Sequence, residues 1–143
     1  MNILNIIKKN NLYLLVFFYL SILYLEFVMK ITFHGFSFDA NIFFVLLFSI
    51  PVALLLFCIS LPFKKKTNQI VAIAALSVLS LLFMIQMVYR TIFSIYLTTF
   101  TAMNGMKALQ FGSVIADGIW KNIFALLLLF LPIVVLVVVG LKK

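Results

Sequence analysis

Acidic residues are scarce in this sequence: its 143 residues include three, Glu26, Asp39 and Asp117, against eleven Lys and Arg, for a formal net charge of +8 at pH 7. Histidine occurs once, as His34, and cysteine once, as Cys58. One thiol excludes an intramolecular disulfide and leaves the redox compartment undetermined by cysteine use. With so few acids and a lone imidazole, no carboxylate pair, nucleophile–base dyad or metal-ligand cluster has workable spacing in the sequence. Glycine is also sparse, at five residues. There is no Gly-rich phosphate loop, no Gly/Ser linker and no internal repeat, so the chain reads as one membrane domain spanning 1–143.

What fills the chain is hydrocarbon. Hydrophobic residues make up 66% and charged residues 10%, and the mean hydropathy is +1.31. That leaves too little polar surface to coat a soluble globule of this length. Apolar segments at about 12–29, 42–61, 70–89 and 123–141 each approach the ~20 residues that an α-helix needs to cross ~30 Å of lipid. After Leu25 the sequence continues Glu-Phe-Val-Met-Lys, without a small-residue cleavage site, so the first segment is a retained span and not a signal peptide. The expected fold is an all-α membrane protein: four transmembrane helices plus an outer interfacial helical segment at about 91–118.

The cations sort by connection. Lys8, Lys9, Lys64, Lys65, Lys66, Lys142 and Lys143 fall on one side; Lys30, Arg90, Lys107 and Lys121 fall on the other with all three acids. The excess of Lys and Arg places both termini and the Lys64–Lys66 turn in the cytoplasm. Because the basic residues sit at span ends and not in a stripe interleaved with exposed aromatics, nucleic acid is not an expected partner.

Residues 31–41 form an aromatic stretch around Phe33, Phe36 and Phe38, suited to headgroup depth. Pro51 and Pro132 are expected to kink the second and fourth spans, and Pro62 suits a helix end. Asn68 is placed to cap the third helix. From Gln69 to Phe100 there is no Gly or Pro, too long for one crossing, so a protrusion or a bend near Arg90 is expected. Beyond Arg90, Thr91, Ser94, Thr98 and Thr101 recur opposite Ile92, Phe93, Ile95, Tyr96 and Phe100, an interfacial amphipathic pattern. Trp120 and Lys121 announce the last span. Small residues at Ala72, Ala74, Ala75, Ser77 and Ser80 suit close helix contacts.

Two groups of ionisable residues carry candidate roles. Glu26 and Lys30 stand four apart and can form a structural ion pair on one helix face. Arg90, Lys107 and Lys121 are candidate lipid-headgroup contacts, with Arg90 able either to snorkel or to grip a phosphate. His34 has no ligand-type neighbour at metal-binding spacing.

Several strings are more specific than hydropathy: Tyr24-Leu25-Glu26-Phe27 running into Thr32-Phe33-His34-Gly35-Phe36; Leu47-Phe48-Ser49-Ile50-Pro51; Phe63-Lys64-Lys65-Lys66; Gln86-Met87-Val88-Tyr89; Leu109-Gln110-Phe111; and Ala116-Asp117-Gly118-Ile119-Trp120-Lys121-Asn122. In order and spacing these resemble the N-terminal membrane region of bacterial lipoteichoic-acid-synthase-like proteins, membrane-anchored sulfatase-like members of the alkaline phosphatase superfamily. The likeness runs from about Leu12 to Val139. It implies a bacterial plasma-membrane location and a role in anchoring, and in presenting phosphatidylglycerol to, an extracellular catalytic domain that moves phosphoglycerol with a threonine nucleophile and a divalent metal. That domain is absent from these 143 residues, so no catalytic or metal residue carries over, no cofactor is expected in this chain, and whether to class it as an enzyme stays open. A fragment is the leading explanation of where the sequence stops. A remnant, or a stand-alone four-helix flippase-like or accessory membrane protein working with a separate partner, are the alternatives.

Overall fold

A computed structural model of the chain describes residues 12–35, 41–60, 62, 65–95, 98 and 112–141. The apolar runs become helix, which takes in 93% of the described residues, with no strand among them. The elements are α1 (Leu12–His34), α2 (Asn41–Ser60), α3 (Lys65–Phe93), α4 (Gly112–Lys121), α5 (Ile123–Leu129) and α6 (Leu131–Leu141). Three helices are long and apolar enough to cross a membrane: Leu12–His34, Ile42–Ser60 and Thr67–Phe93. A fourth crossing is available if Gly112–Lys121 and Ile123–Val138, bent by 74° relative to each other, count as one broken span.

Several boundaries differ from the sequence reading. α1 does not stop near Met29 but runs to His34, taking in the start of the aromatic stretch. It ends because Gly35 adopts φ 68°, and its N–H closes onto the Ile31 carbonyl at 3.1 Å, a left-handed helix stop that glycine makes without a Cβ clash. α3 starts at Lys65, which places Asn68 inside the first turn and not at the cap. At its far end α3 runs past Tyr89 and stops at Phe93, three residues beyond Arg90. There Ser94 takes φ 58° and donates its N–H to the Arg90 carbonyl at 2.8 Å. Its 29 residues still extend to ~43 Å, beyond the ~30 Å hydrocarbon core.

Pro132 breaks the last helix where its missing donor requires. The turn at Phe130 closes by tighter bonds, Phe130 N–H to Leu127 carbonyl at 3.2 Å and Ile133 N–H to Phe130 carbonyl at 3.1 Å, separating α5 from α6. Pro51 sits inside α2, and Pro62 follows the end of that helix by two residues.

The outside of the bundle is apolar. Phe43, Phe48, Phe124 and Leu127 are all more than half exposed, the inverse of a soluble surface. Tyr13 at the start of α1 and Trp120 near the end of α4 are each 77% exposed, one at each end of the bundle, where membrane aromatics are favoured.

Two clusters fill the interior. Phe18 and Ile22 of α1, Ala53 and Leu56 of α2, Ala72 and Leu76 of α3 and Leu136 of α6 pack together toward the Leu12 end. Leu25, Val28 and Met29 of α1, Met87 of α3, and Leu126 and Leu129 of α5 form the second cluster toward the His34 end. Ala72 and Ser80, from the small-residue stretch, are fully buried, so that stretch packs within this chain. α2 contributes to the first cluster only, and in the other half of the bundle it leaves a gap beside α1 and α3.

Several hydroxyls within the spans bond back along their own helices, whereas the buried Ser80 hydroxyl of α3 has no hydrogen-bond partner among the described residues. Ser49 donates to the Val45 carbonyl at 2.6 Å, Ser77 to Ile73 at 2.8 Å and Thr32 to Val28 at 2.7 Å. Such back-bonding is how a hydroxyl avoids an unmet donor in hydrocarbon.

Candidate functional site: a polar rim at the His34 end

The last turn of α1 and the last turn of α3 come together at one end of the bundle. Arg90 lays its guanidinium over the Phe33 ring, Cζ lying 4.4 Å from the ring centroid. Its Nη2 lies 2.8 Å from His34 Nε2. Arginine has no acceptor, so in this contact the guanidinium donates and Nε2 accepts. Cation–π stacking of this kind contributes about 0.5–2 kcal/mol. The stacked ring and the accepting nitrogen together set the plane of the guanidinium.

A second set of contacts joins the helix break to the same rim. Asn122, between α4 and α5, is 9% exposed. Its Nδ2 donates to Thr91 Oγ1 at 2.8 Å and to the Gly118 carbonyl at 2.8 Å. Thr91 Oγ1 in turn donates to the Met87 carbonyl at 2.9 Å, so the hydroxyl both gives and accepts. Asn122 N–H closes onto the Ile119 carbonyl at 3.1 Å, and the Asn122 carbonyl accepts from Leu126 N–H at 2.8 Å. This side chain therefore stitches the 74° corner to α3.

Close approach makes the stitch possible. Gly118 is buried, and a Cβ there would lie 3.2 Å from Ile92 Cγ1 and 3.3 Å from Val88 Cγ1. With no side chain at this position, α4 lies directly on α3 and carries Asn122 within reach of Thr91.

Of the headgroup candidates, the structure brings Arg90 and Lys121 to one rim: Lys121 is the exposed residue before Asn122, and Arg90 immediately precedes Thr91. Lys107 lies outside the described residues, as does most of the segment between α3 and α4. Glu26 and Lys30 stand one turn apart on α1, both half-buried. Glu26 lines the gap beside α2, a cavity of about 310 Å³ whose other walls are Ile22, Phe44, Val45, Phe48, Ser49, Val52, Leu79 and Phe83.

Sequence reasoning missed His34, Thr91 and Asn122 as parts of one site. His34 and Arg90 are 56 residues apart and Thr91 and Asn122 are 31 apart, so no local spacing advertises either contact. Among the described residues no three His, Cys, Asp or Glu side chains come together as a metal site would need. No protein-family model, curated protein or solved structure matches the chain.

Proposed function

We propose that the chain is a multi-pass membrane module that holds anionic phospholipid headgroups at the outer leaflet. More particularly, it is the membrane-anchoring and lipid-presenting part of a lipoteichoic-acid-synthase-like phosphoglycerol transferase, inactive by itself, in a bacterial plasma membrane with both termini cytoplasmic. The first statement is carried by one observation: the Arg90 guanidinium, oriented by Phe33 and His34, shares a rim with Lys121 through the Asn122–Thr91 bond. A planar guanidinium held in one orientation suits a phosphate's paired oxygens better than a mobile one. The second statement rests on the polar strings between the spans, and the cytoplasmic placement of the termini rests on the distribution of lysines.

The second reading is a stand-alone small lipid-linked-substrate transporter or accessory protein. The side cavity at Glu26 favours it, because intramembrane carboxylates commonly mark ligand or ion paths. A reading frame that continues past codon 143 into a fifth span and a sulfatase-like domain selects the first reading; a stop codon there selects the second.

The rim is tested by phosphatidylglycerol binding to the purified protein, measured by native mass spectrometry. Each basic residue near a membrane surface contributes about 1 kcal/mol toward anionic lipid. Combined R90Q, K107Q and K121Q substitution is therefore expected to weaken phosphatidylglycerol binding about a hundredfold, leaving phosphatidylcholine binding unchanged. Equal phosphatidylglycerol binding by the wild type and the triple variant would sink the proposal.

A further inference from the structure

The cavity at Glu26 is separate from the rim, and its chemistry is of the opposite sign. Its nine lining residues include one charged side chain, Glu26, and one hydroxyl, Ser49; the other seven are Ile, Val, Leu and Phe. The Ser49 hydroxyl is committed to the Val45 carbonyl at 2.6 Å. Among the described residues no Lys, Arg or His lines the space.

Its position follows from how α2 packs. Ala53 and Leu56 bind that helix into the first core cluster, whereas Phe44, Val45, Phe48, Ser49 and Val52, on and just beyond the other side of Pro51, face the cavity. Pro51 gives α2 no N–H to offer Leu47, which divides the helix between a packed half and a cavity-lining half. A volume of about 310 Å³ falls at the lower end of small-molecule sites, which are mostly apolar with a few placed polar groups.

From the single carboxylate among the described residues lining this apolar cavity, which is open on the side of the exposed Phe44 and Phe48, we infer that the cavity binds a lipophilic monovalent organic cation, its charge against Glu26 and its apolar body against Phe44, Phe48, Leu79 and Phe83. Charge complementarity selects the ligand. An anion would face Glu26 without a lining cation, while a neutral hydrocarbon would leave the carboxylate unmatched in a low-dielectric space. Charged groups near the cavity are few among the described residues. On α1, Lys30 stands one turn beyond Glu26; the described part of α2 carries no charged side chain, its one thiol, Cys58, lying at the far end of the helix, and on α3 toward the His34 end the nearest charge is Arg90. The inference does not depend on the rim's lipid binding.

The test is equilibrium dialysis of tetraphenylphosphonium against the full chain in detergent, with neutral triphenylphosphine as competitor. The wild type is expected to bind one cation per chain saturably, and triphenylphosphine is expected not to displace it. Glu26→Gln removes the charge at constant size and should weaken binding about tenfold or more. Glu26→Asp should retain binding within a few-fold. Leu79→Trp, which fills the cavity without touching the carboxylate, should abolish binding. Cys58→Ser, at the other end of α2, is the unaffected control. Thermal unfolding of each variant separates loss of the site from loss of the fold; if Glu26→Gln does not fold, Glu26→Asp and Leu79→Trp decide. Non-saturable binding by the wild type overturns the inference, as does binding by folded Glu26→Gln within about twofold of wild type or undiminished binding by folded Leu79→Trp.

Discussion

His34 accepts a hydrogen bond from the Arg90 guanidinium, and the stabilisation it gives is modest, because the contact lies at an exposed edge. His34→Gln, which keeps an acceptor, is expected to retain hydrogen-exchange protection at Phe33–Gly35, and His34→Leu, which removes it, to lose protection there. Equal protection in the two variants would show that this contact does not hold the α1–α3 end together. At this scale the sequence was least informative. Local i,i+4 spacing placed Glu26 beside Lys30 on one helix face, but it could not show that Glu26 also lines a cavity whose other walls come largely from α2 and α3. It also left His34 without a partner because the partner is on another helix.

Among the elements, the α3–α4 contact concentrates the most structure in the least side chain. Gly118 is packed against Val88 and Ile92, and the Asn122 amide can reach Thr91 because that packing is tight. Gly118→Leu must push α4 away from α3, an overpacking cost of about 1–3 kcal/mol, and must lengthen the Asn122–Thr91 contact. Its melting temperature should fall below wild type, and a spin-label pair on α3 and α4 should report a larger separation. An unchanged distance would show that Gly118 does not set the approach. Helix content was legible because long apolar runs in lipid have one way to satisfy every backbone group, and the break at Pro132 was legible because a missing N–H has a fixed position. Helix ends were less so: α1 overran Met29 and α3 overran Tyr89, each running on until Gly35 or Ser94 stops it through backbone conformation, which hydropathy does not encode. Asn122 passed as an unremarked neighbour of Trp120 and Lys121, since only the 74° bend turns its amide toward α3.

The whole molecule is inside-out relative to a soluble protein, with Phe43, Leu127 and Phe124 facing outward and the rim contacts of Arg90, His34, Thr91 and Asn122 at one end. Such a surface suits lipid, and the proposed orientation puts the His34 rim at the outer face and the turn around Pro62 at the cytoplasmic face. Cysteine accessibility tests this most directly. In a Cys58→Ser background, single cysteines are introduced at Gly112, whose Cβ position is open, and at Pro62, which is exposed. In intact cells a membrane-impermeant maleimide should label the cysteine at position 112 and leave the one at position 62 unlabelled until the cells are permeabilised. Labelling of position 62 from outside, or protection of position 112, would contradict a bundle that crosses the membrane with its cationic rim outward.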